Sequence, residues 1–165
     1  LAYNGLSEIA AGVFMGPMIV IGAYYVMDTN VYPALALISL PVALMVAAIL
    51  HANNIRDMPA DRAANKRTLA VMFGLRFARA EYAVLVGGAY VLLVALVIAG
   101  HIPPGALLAL LTLPEARRLI AMIYTHTDTP SLHQAQGRTA RLHVLFGLLL
   151  VIGGLALLGL QSLTN

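Results

Sequence analysis

The chain has 165 residues, 61% of them apolar, 10% charged, and no cysteine. Soluble domains hold about 45–50% apolar residues even with glycine counted, and about 25% charged, so a soluble globular domain is excluded. The apolar surplus gathers in runs of about 18–20 residues, enough to cross a hydrocarbon layer of about 30 Å. The lack of cysteine excludes disulfide and thiolate chemistry. A formal charge of +3 raises nucleic acid as a partner, and the placement of the basic residues decides against it below.

The first apolar run is Ile9 to Met27, after Tyr3-Asn4-Gly5-Leu6-Ser7-Glu8. No basic segment precedes it, so it does not read as a signal peptide. Gly12 and Gly16 form a small-xxx-small pattern suited to close helix approach in lipid, and Pro17 is expected to kink the span. Tyr24 and Tyr25 fall where aromatic rings favour the interface, and Asp28-Thr29-Asn30 closes the run. Val31 to Leu50 is the second span, with Pro33 in its first turn and Pro41 near its middle. A polar island from His51 to Thr68 follows. Leu69 to Phe77 is semi-apolar and either lies along the interface or opens the next helix. Tyr82 to Ala99 is the third span. After the turn signal Pro103-Pro104-Gly105, one helix is expected from about Gly105 to Tyr124, its arginines reaching the interface by snorkelling. Thr125 to Arg141 reads as a polar connection and Leu142 to Leu160 as the fifth span. Gly87-Gly88 and Gly153-Gly154 read as helix-packing sites, and the methionines as lipid-facing or packing side chains. The expected fold is all-α, a polytopic transmembrane bundle of about five spans forming one domain over residues 1–165.

Charge placement tests that count. With alternating spans, the second-to-third and fourth-to-fifth connections share one side. Arg56, Arg62, Lys66, Arg67, Arg76, Arg79, Arg117, Arg118, Arg138 and Arg141 all lie in or beside those two connections, and they are the only Lys and Arg residues. The positive-inside rule then puts the island on the cytoplasmic side. One topology accounts for every basic residue, so nucleic-acid binding is not needed.

The island reads His51-Ala-Asn53-Asn54-Ile-Arg56-Asp57-Met-Pro59-Ala-Asp61-Arg62-Ala-Ala-Asn65-Lys66-Arg67-Thr68. Asn53, Asp57 and Asp61 recur every four residues, so on a helix they form a row with Cβ atoms about 5–6 Å apart. Carboxylates and amide oxygens are the hard ligands that Mg²⁺ accepts, typically one or two carboxylates completed by water and phosphate oxygens. Lys66 and Arg67 follow within two turns, placed to meet charge on an anionic ligand. The plainer reading is a charged loop that only sets topology. Pro59 lies between the acids and removes a backbone donor, so the helix either starts near Met58 or bends there.

This stretch, continuing through Leu69-Ala70-Val71, resembles the second aspartate-rich motif of the UbiA-type intramembrane prenyltransferases. Within that superfamily it is most similar to the 1,4-dihydroxy-2-naphthoate polyprenyltransferase branch, which shows Asn-Asn-x-Arg-Asp, Asp four on, then Gly-Lys-x-Thr-Leu-Ala. The chain departs from that pattern at Asn65, where Gly is usual and where the turn after the acids is set. The opening Tyr3 to Glu8 and the late Thr139-Ala-Arg-Leu-His143-Val-Leu-Phe-Gly147 also resemble the branch. The resemblance implies a nine-span bundle with two aspartate motifs, of which this chain matches the last five spans. It is expected to be a fragment with no appreciable turnover alone. By the same resemblance Asp57 and Asp61 bind Mg²⁺, and Asn53, Arg56 and Lys66 contact the diphosphate of a polyprenyl diphosphate donor. The implied acceptor is an aromatic ring, 1,4-dihydroxy-2-naphthoate in menaquinone biosynthesis, and the implied setting is the lipid bilayer of the bacterial inner membrane. Other acceptors in the superfamily (4-hydroxybenzoate, haem, a chlorophyllide) fit the Asn-Asn-x-Arg-Asp wording less well. From another class, a transporter or scaffold remains as the alternative. His126, Asp128 and His133 have no strong metal-binding spacing and read as a solvated loop. His51 borders the motif, and Glu8 is a candidate for the acceptor pocket.

Overall fold

A computed structural model describes residues 7–164, and the side chains of residues 10–157 and of Gly159 within them. The opening Tyr3 to Leu6 and the side chain of Glu8 therefore lie outside what is described. Among the described residues every secondary-structure element is a helix. The order is α1 (Ser7–Val13), a π-helical turn (Phe14–Met18), α2 (Ile19–Asp28), α3 (Pro33–Ala63), α4 (Leu69–Ile98), a 3₁₀ helix (Pro104–Thr112), α5 (Leu113–Thr125) and α6 (Thr129–Thr164).

Four helical stretches are long and apolar enough to cross a membrane, Ala10–Asp28, Pro33–Ala63, Leu69–Ile98 and Thr129–Leu157. The remaining stretch, Pro104–Thr125, is the 3₁₀ helix followed by α5. At about 2.0 Å rise per residue in 3₁₀ winding and 1.5 Å in α, the pair laid end to end reaches about 37 Å. It is not among the four stretches that qualify, and the single helix expected from Gly105 to Tyr124 is two shorter helices, the first wound more tightly than hydropathy alone could show.

The first span passes Pro17 without breaking, because the helix widens into a π turn from Phe14 to Met18. Such insertions are a usual way for a helix to take up a local irregularity. Gly16 is buried there, and a Cβ on it would overlap Ala43 of α3. The small-xxx-small reading of Gly12 and Gly16 therefore holds. The span ends as expected: Thr29 takes a left-handed conformation (φ 55°) and its amide bonds the Tyr25 carbonyl at 2.8 Å.

α3 and α4 are longer than their apolar runs. α3 continues through Pro41 and Pro59 to Ala63, so the helix does not begin near Met58. α4 begins at Leu69 but is interrupted at Gly74, whose φ of 82° and ψ of 171° belong to neither helix nor ordinary strand. That combination is essentially restricted to glycine. Leu69 to Phe73 is thus a first turn set at an angle to the span that follows. Gly74→Ala is expected to destabilise the protein by about 1–3 kcal/mol, although an added Cβ would meet no atom within 4 Å. Thermal unfolding in detergent measures this, and an unchanged midpoint would contradict the backbone assignment.

Met45, Ala48, Ala52 and Ile55 of α3, Tyr82, Val86 and Leu93 of α4, Leu119 of α5, and Leu142 and Phe146 of α6 form a single buried cluster. Hydroxyl pairs cross it: Tyr82 with Thr139 at 2.7 Å and Tyr90 with Thr112 at 2.8 Å. Thr139 and Thr112 also bond carbonyls of their own helices, Ala135 and Ala109. These buried polar atoms are thereby satisfied internally, as a lipid environment requires. Outward-facing Val26, Met27, Val91 and Ile98 are more than two-thirds exposed, the pattern of surfaces that lipid covers. Met45 is fully buried while Met15, Met18 and Met27 are exposed, so methionine serves both expected roles.

The glycine pairs divide. A Cβ on Gly153 would overlap the Gly105 carbonyl and one on Gly105 the Gly153 carbonyl, while Gly88 sits at ordinary contact distance from Leu44. Gly87 and Gly154 face no atom within 4 Å.

Candidate functional site

The island is not a loop. His51 to Ala63 forms the last turns of α3, residues 64–67 turn the chain, and Thr68 caps α4 by accepting from the Val71 amide at 3.3 Å. The turn after the acids closes on two backbone bonds, Asn65 N to the Arg62 carbonyl at 3.2 Å and Lys66 N to the Asp61 carbonyl at 2.9 Å. This nested pair is a Schellman cap, which demands a left-handed residue, usually Gly and sometimes Asn. Asn65 meets the demand at φ 55°. The departure from Gly therefore keeps the turn.

That cap also places Lys66. Its backbone folds back onto Asp61, and its Nζ donates to Asp61 Oδ1 at 3.0 Å. Asp61 is 5% exposed. One turn earlier, Asp57 is held side-on by its own neighbour: Arg56 Nε donates to Oδ1 and Nη2 to Oδ2, both at 2.7 Å. Arg56 Nη2 also donates to Asn53 Oδ1 at 2.6 Å. Arg56 Nη1 crosses to α6, donating to His133 Nδ1 at 3.1 Å and to Gln136 Oε1. All five expected residues therefore lie on the last turns of α3 and its cap.

Sequence spacing left three participants out. His133 and Gln136 lie one turn apart on α6, in the stretch expected to be a polar connection. In the structure Thr129 starts α6, so that connection shrinks to residues 126–128. Its amphipathic signal is present in the sequence: Leu132, Ala135, Thr139 and Leu142 recur at helical spacing and all are buried. Glu81 is the third. His51 is fully buried against α4, its Nε2–H donating to the Ala78 carbonyl at 2.8 Å and lying 3.6 Å from Glu81 Oε2. Glu81 contributes the carboxylate to an otherwise apolar cleft of about 300 Å³ between the first span, α3 and α4, with Ala43, Leu44 and Leu85 among its walls.

The basic corners meet at one end of the bundle. Arg79 of α4 donates to the Ile123 and His126 carbonyls at 2.8 and 3.0 Å, closing the C-terminal end of α5, as a cation at a helix C-terminus should. Arg138 of α6 pairs with Glu115 of α5 at 2.7 Å. Asp128 caps α6 by accepting from the Ser131 amide at 2.9 Å, and Ser131 holds the Asp128 carboxyl below its ordinary value. His126 lies 3.4 Å from Asp128 on an exposed turn.

No cluster of three or more His, Asp, Glu or Cys side chains able to enclose a metal occurs among the described residues. The two carboxylates of α3 instead lie one helical turn apart, Asp57 partly exposed and Asp61 buried, each faced by a cation. That donor set suits a divalent ion which takes one or two protein carboxylates and shares the rest of its shell with water and phosphate. It does not suit a closed protein cage.

The fold and this end of the bundle define a polytopic α-helical membrane protein with a carboxylate–cation site at one bundle end. The sequence matches the profile of the UbiA prenyltransferase family over residues 1–135. It is 30% identical over 153 residues to the 1,4-dihydroxy-2-naphthoate octaprenyltransferase of Bacillus subtilis (strain 168), covering 93% of this chain and 49% of that protein. It is 31% identical over 151 residues to the Escherichia coli (strain K12) protein of the same name, covering 92% and 49%. To UbiA prenyltransferase domain-containing protein 1 of Homo sapiens it is 33% identical over 151 residues, covering 92% and 43%. The chain belongs to the UbiA prenyltransferase family. It spans about half the length of the curated relatives it matches.

Proposed function

We propose that this chain carries one carboxylate motif of a Mg²⁺-dependent prenyltransferase, which moves a polyprenyl group from its diphosphate to an aromatic acceptor. The observation that carries this reading is the row Asn53–Asp57–Asp61 on the last turns of α3, with Lys66 folded against Asp61 by the cap. Asp57 and Asp61 would hold the metal, while Asn53 and the partly exposed Lys66 meet the diphosphate. When bound, Mg²⁺ supplies positive charge to the diphosphate oxygens as negative charge develops there. Lys66 adds a cation at the same place. The apolar spans keep water from the allylic cation that departure of diphosphate leaves, and the cleft of about 300 Å³ is a surface fit for hydrocarbon. The electron-rich acceptor ring then attacks that cation. The family reading calls for a second aspartate motif, which these residues do not contain, so this chain alone is inactive in our account.

The acceptor we favour is 1,4-dihydroxy-2-naphthoate, whose ring loses carboxylate as it gains the prenyl chain, giving a demethylmenaquinone. Two relatives bear that substrate in their names. The setting is a bacterial inner membrane with the α3–α4 corner cytoplasmic, because all the basic residues gather at the two connections on that side. Acceptor competition tests the choice. Membranes expressing this chain joined to a half that carries the other aspartate motif, supplied with a radiolabelled polyprenyl diphosphate and equal 1,4-dihydroxy-2-naphthoate and 4-hydroxybenzoate, are expected to label the naphthoate product. Labelling of the benzoate alone would replace the acceptor, and labelling of neither above vector membranes would favour the transporter or scaffold alternative.

A further inference from the structure

We propose that Arg56 is a positioning residue for Asp57 and Asn53, held in place by His133 and Gln136 of α6, and not a ligand of the diphosphate. The inference rests on the metal-site reading above. A guanidinium has five N–H donors in a fixed plane and cannot accept a hydrogen bond. At Arg56 every one of them points at a protein atom. Nε–H goes to Asp57 Oδ1, the two Nη2 hydrogens go to Asp57 Oδ2 and Asn53 Oδ1, and the two Nη1 hydrogens go to His133 Nδ1 and Gln136 Oε1. Because the guanidinium only donates, His133 Nδ1 accepts and its proton sits on Nε2. A diphosphate oxygen could recruit Arg56 only by breaking one of these bonds.

The arrangement does something a lone carboxylate cannot. Adjacent residues on a helix do not face one another, so Arg56 reaches Asp57 only by turning its long side chain back along the helix surface. The two contacts from α6 hold it turned. The side-on pair fixes the plane of the Asp57 carboxylate, and a carboxylate offers about four lone-pair directions, of which Arg56 uses two. The Asn53 side chain also bonds this carboxylate, which leaves about one direction for a cation. Arg56 is 18% exposed and Asp57 32% in their side chains, so the open edge of the pair belongs to the carboxylate. The chain thus couples α6 to the acid row through one guanidinium, and the relevant partners are 77 and 80 residues away in sequence.

The test uses Mn²⁺ as the metal probe and inorganic pyrophosphate as the anion probe on the purified protein in detergent. Mn²⁺ affinity is read by electron paramagnetic resonance without anion, and pyrophosphate affinity by calorimetry at saturating Mn²⁺. The double variant His133→Ala/Gln136→Ala leaves Arg56, Asp57 and Asp61 untouched, and a thermal midpoint within a few degrees of wild type keeps folding out of the result. It is expected to weaken Mn²⁺ binding by about 10-fold or more, the usual effect of losing groups that orient a ligand. Pyrophosphate binding at saturating Mn²⁺ stays within twofold. Arg56→Lys, which keeps the charge but not the fork, is expected to follow the same pattern. Loss of pyrophosphate affinity in Arg56→Lys with Mn²⁺ affinity unchanged would overturn the proposal and make Arg56 an anion ligand. Unchanged affinities for both probes in both variants would equally overturn it. Wild-type protein whose Mn²⁺ binding is absent, or is unaffected by Asp57→Ala, would instead bring down the metal-site reading on which the proposal stands.

Discussion

Alanine at Asp57 or at Asp61 is expected to lower the affinity for a non-reactive polyprenyl diphosphate analogue by about 100-fold or more in the presence of Mg²⁺. Groups that merely orient a metal ligand cost 10–100-fold when removed, and these two are the proposed ligands themselves. The variants should keep their fold for identifiable reasons. Lys66 is 41% exposed in its side chain, so without Asp61 its ammonium can still be hydrated and is not stranded. Arg56 without Asp57 still has Asn53, His133 and Gln136 as acceptors. Chelation of Mg²⁺ in the wild type should mimic the variants, and Asp57→Asn, which keeps shape and loses charge, should resemble Asp57→Ala. Equilibrium binding to protein in nanodiscs across a Mg²⁺ titration measures all three. Variants that bind as tightly as wild type, with the same metal dependence, would leave the acids as topology determinants only.

A second large effect is expected at the other end of the chemistry, in the packing that holds α6 against the 3₁₀ helix. Gly153→Ala inserts a methyl group where the Gly105 carbonyl already lies. Backbone cannot yield as a side-chain tip does, so the cost should reach the upper part of the overpacking range, about 3 kcal/mol, or roughly 10 °C in Tm. Gly154→Ala, one residue on, faces no atom within 4 Å and should leave Tm within a degree or two. A differential-scanning comparison of the two variants isolates the close approach from helix propensity, which favours alanine equally at both. Equal midpoints would mean that the 3₁₀ helix does not ride on α6 at Gly153. The site would feel such a loss, because α6 also carries His133 and Gln136.

How much of this was legible follows from the kind of signal each feature leaves. The all-helical class and the membrane setting come from composition and run length; the described residues are helical, and four helical stretches among them are long and apolar enough to cross a membrane. The acid row was legible because four-residue spacing is a local property of one helix. Pro59 obscured it by suggesting a helix start near Met58, yet α3 passes through Pro59, since a helix can lose one donor and continue where packing supports it. The polar halves of α3 and α6 escape hydropathy for a different reason. Hydropathy marks where lipid begins, not where a helix begins, so the apolar runs stop at Leu50 and start at Leu142 while the helices run to Ala63 and from Thr129. The periodicity of Leu132, Ala135, Thr139 and Leu142 would have extended α6 correctly. Gly74 gave no local cue, since a glycine in an apolar helix is also a common packing residue. The reach of Arg56 to Gln136 and of His51 to Glu81 depends on how α3 meets α6 and α4, which no spacing within one segment encodes. Asn65 was the instructive departure. A residue that differs from the pattern in chemistry matches it in conformation, because Asn is the side chain that best tolerates the left-handed region after Gly.

The central claim is that Asp57 and Asp61 bind a divalent cation which in turn touches the diphosphate. Phosphorus-31 electron–nuclear double resonance, on protein loaded with Mn²⁺ and a non-reactive polyprenyl diphosphate analogue, reads that contact directly. A resolved ³¹P coupling to Mn²⁺ is expected in the wild type and is expected to disappear in Asp57→Ala/Asp61→Ala. The same coupling in the double variant would contradict it.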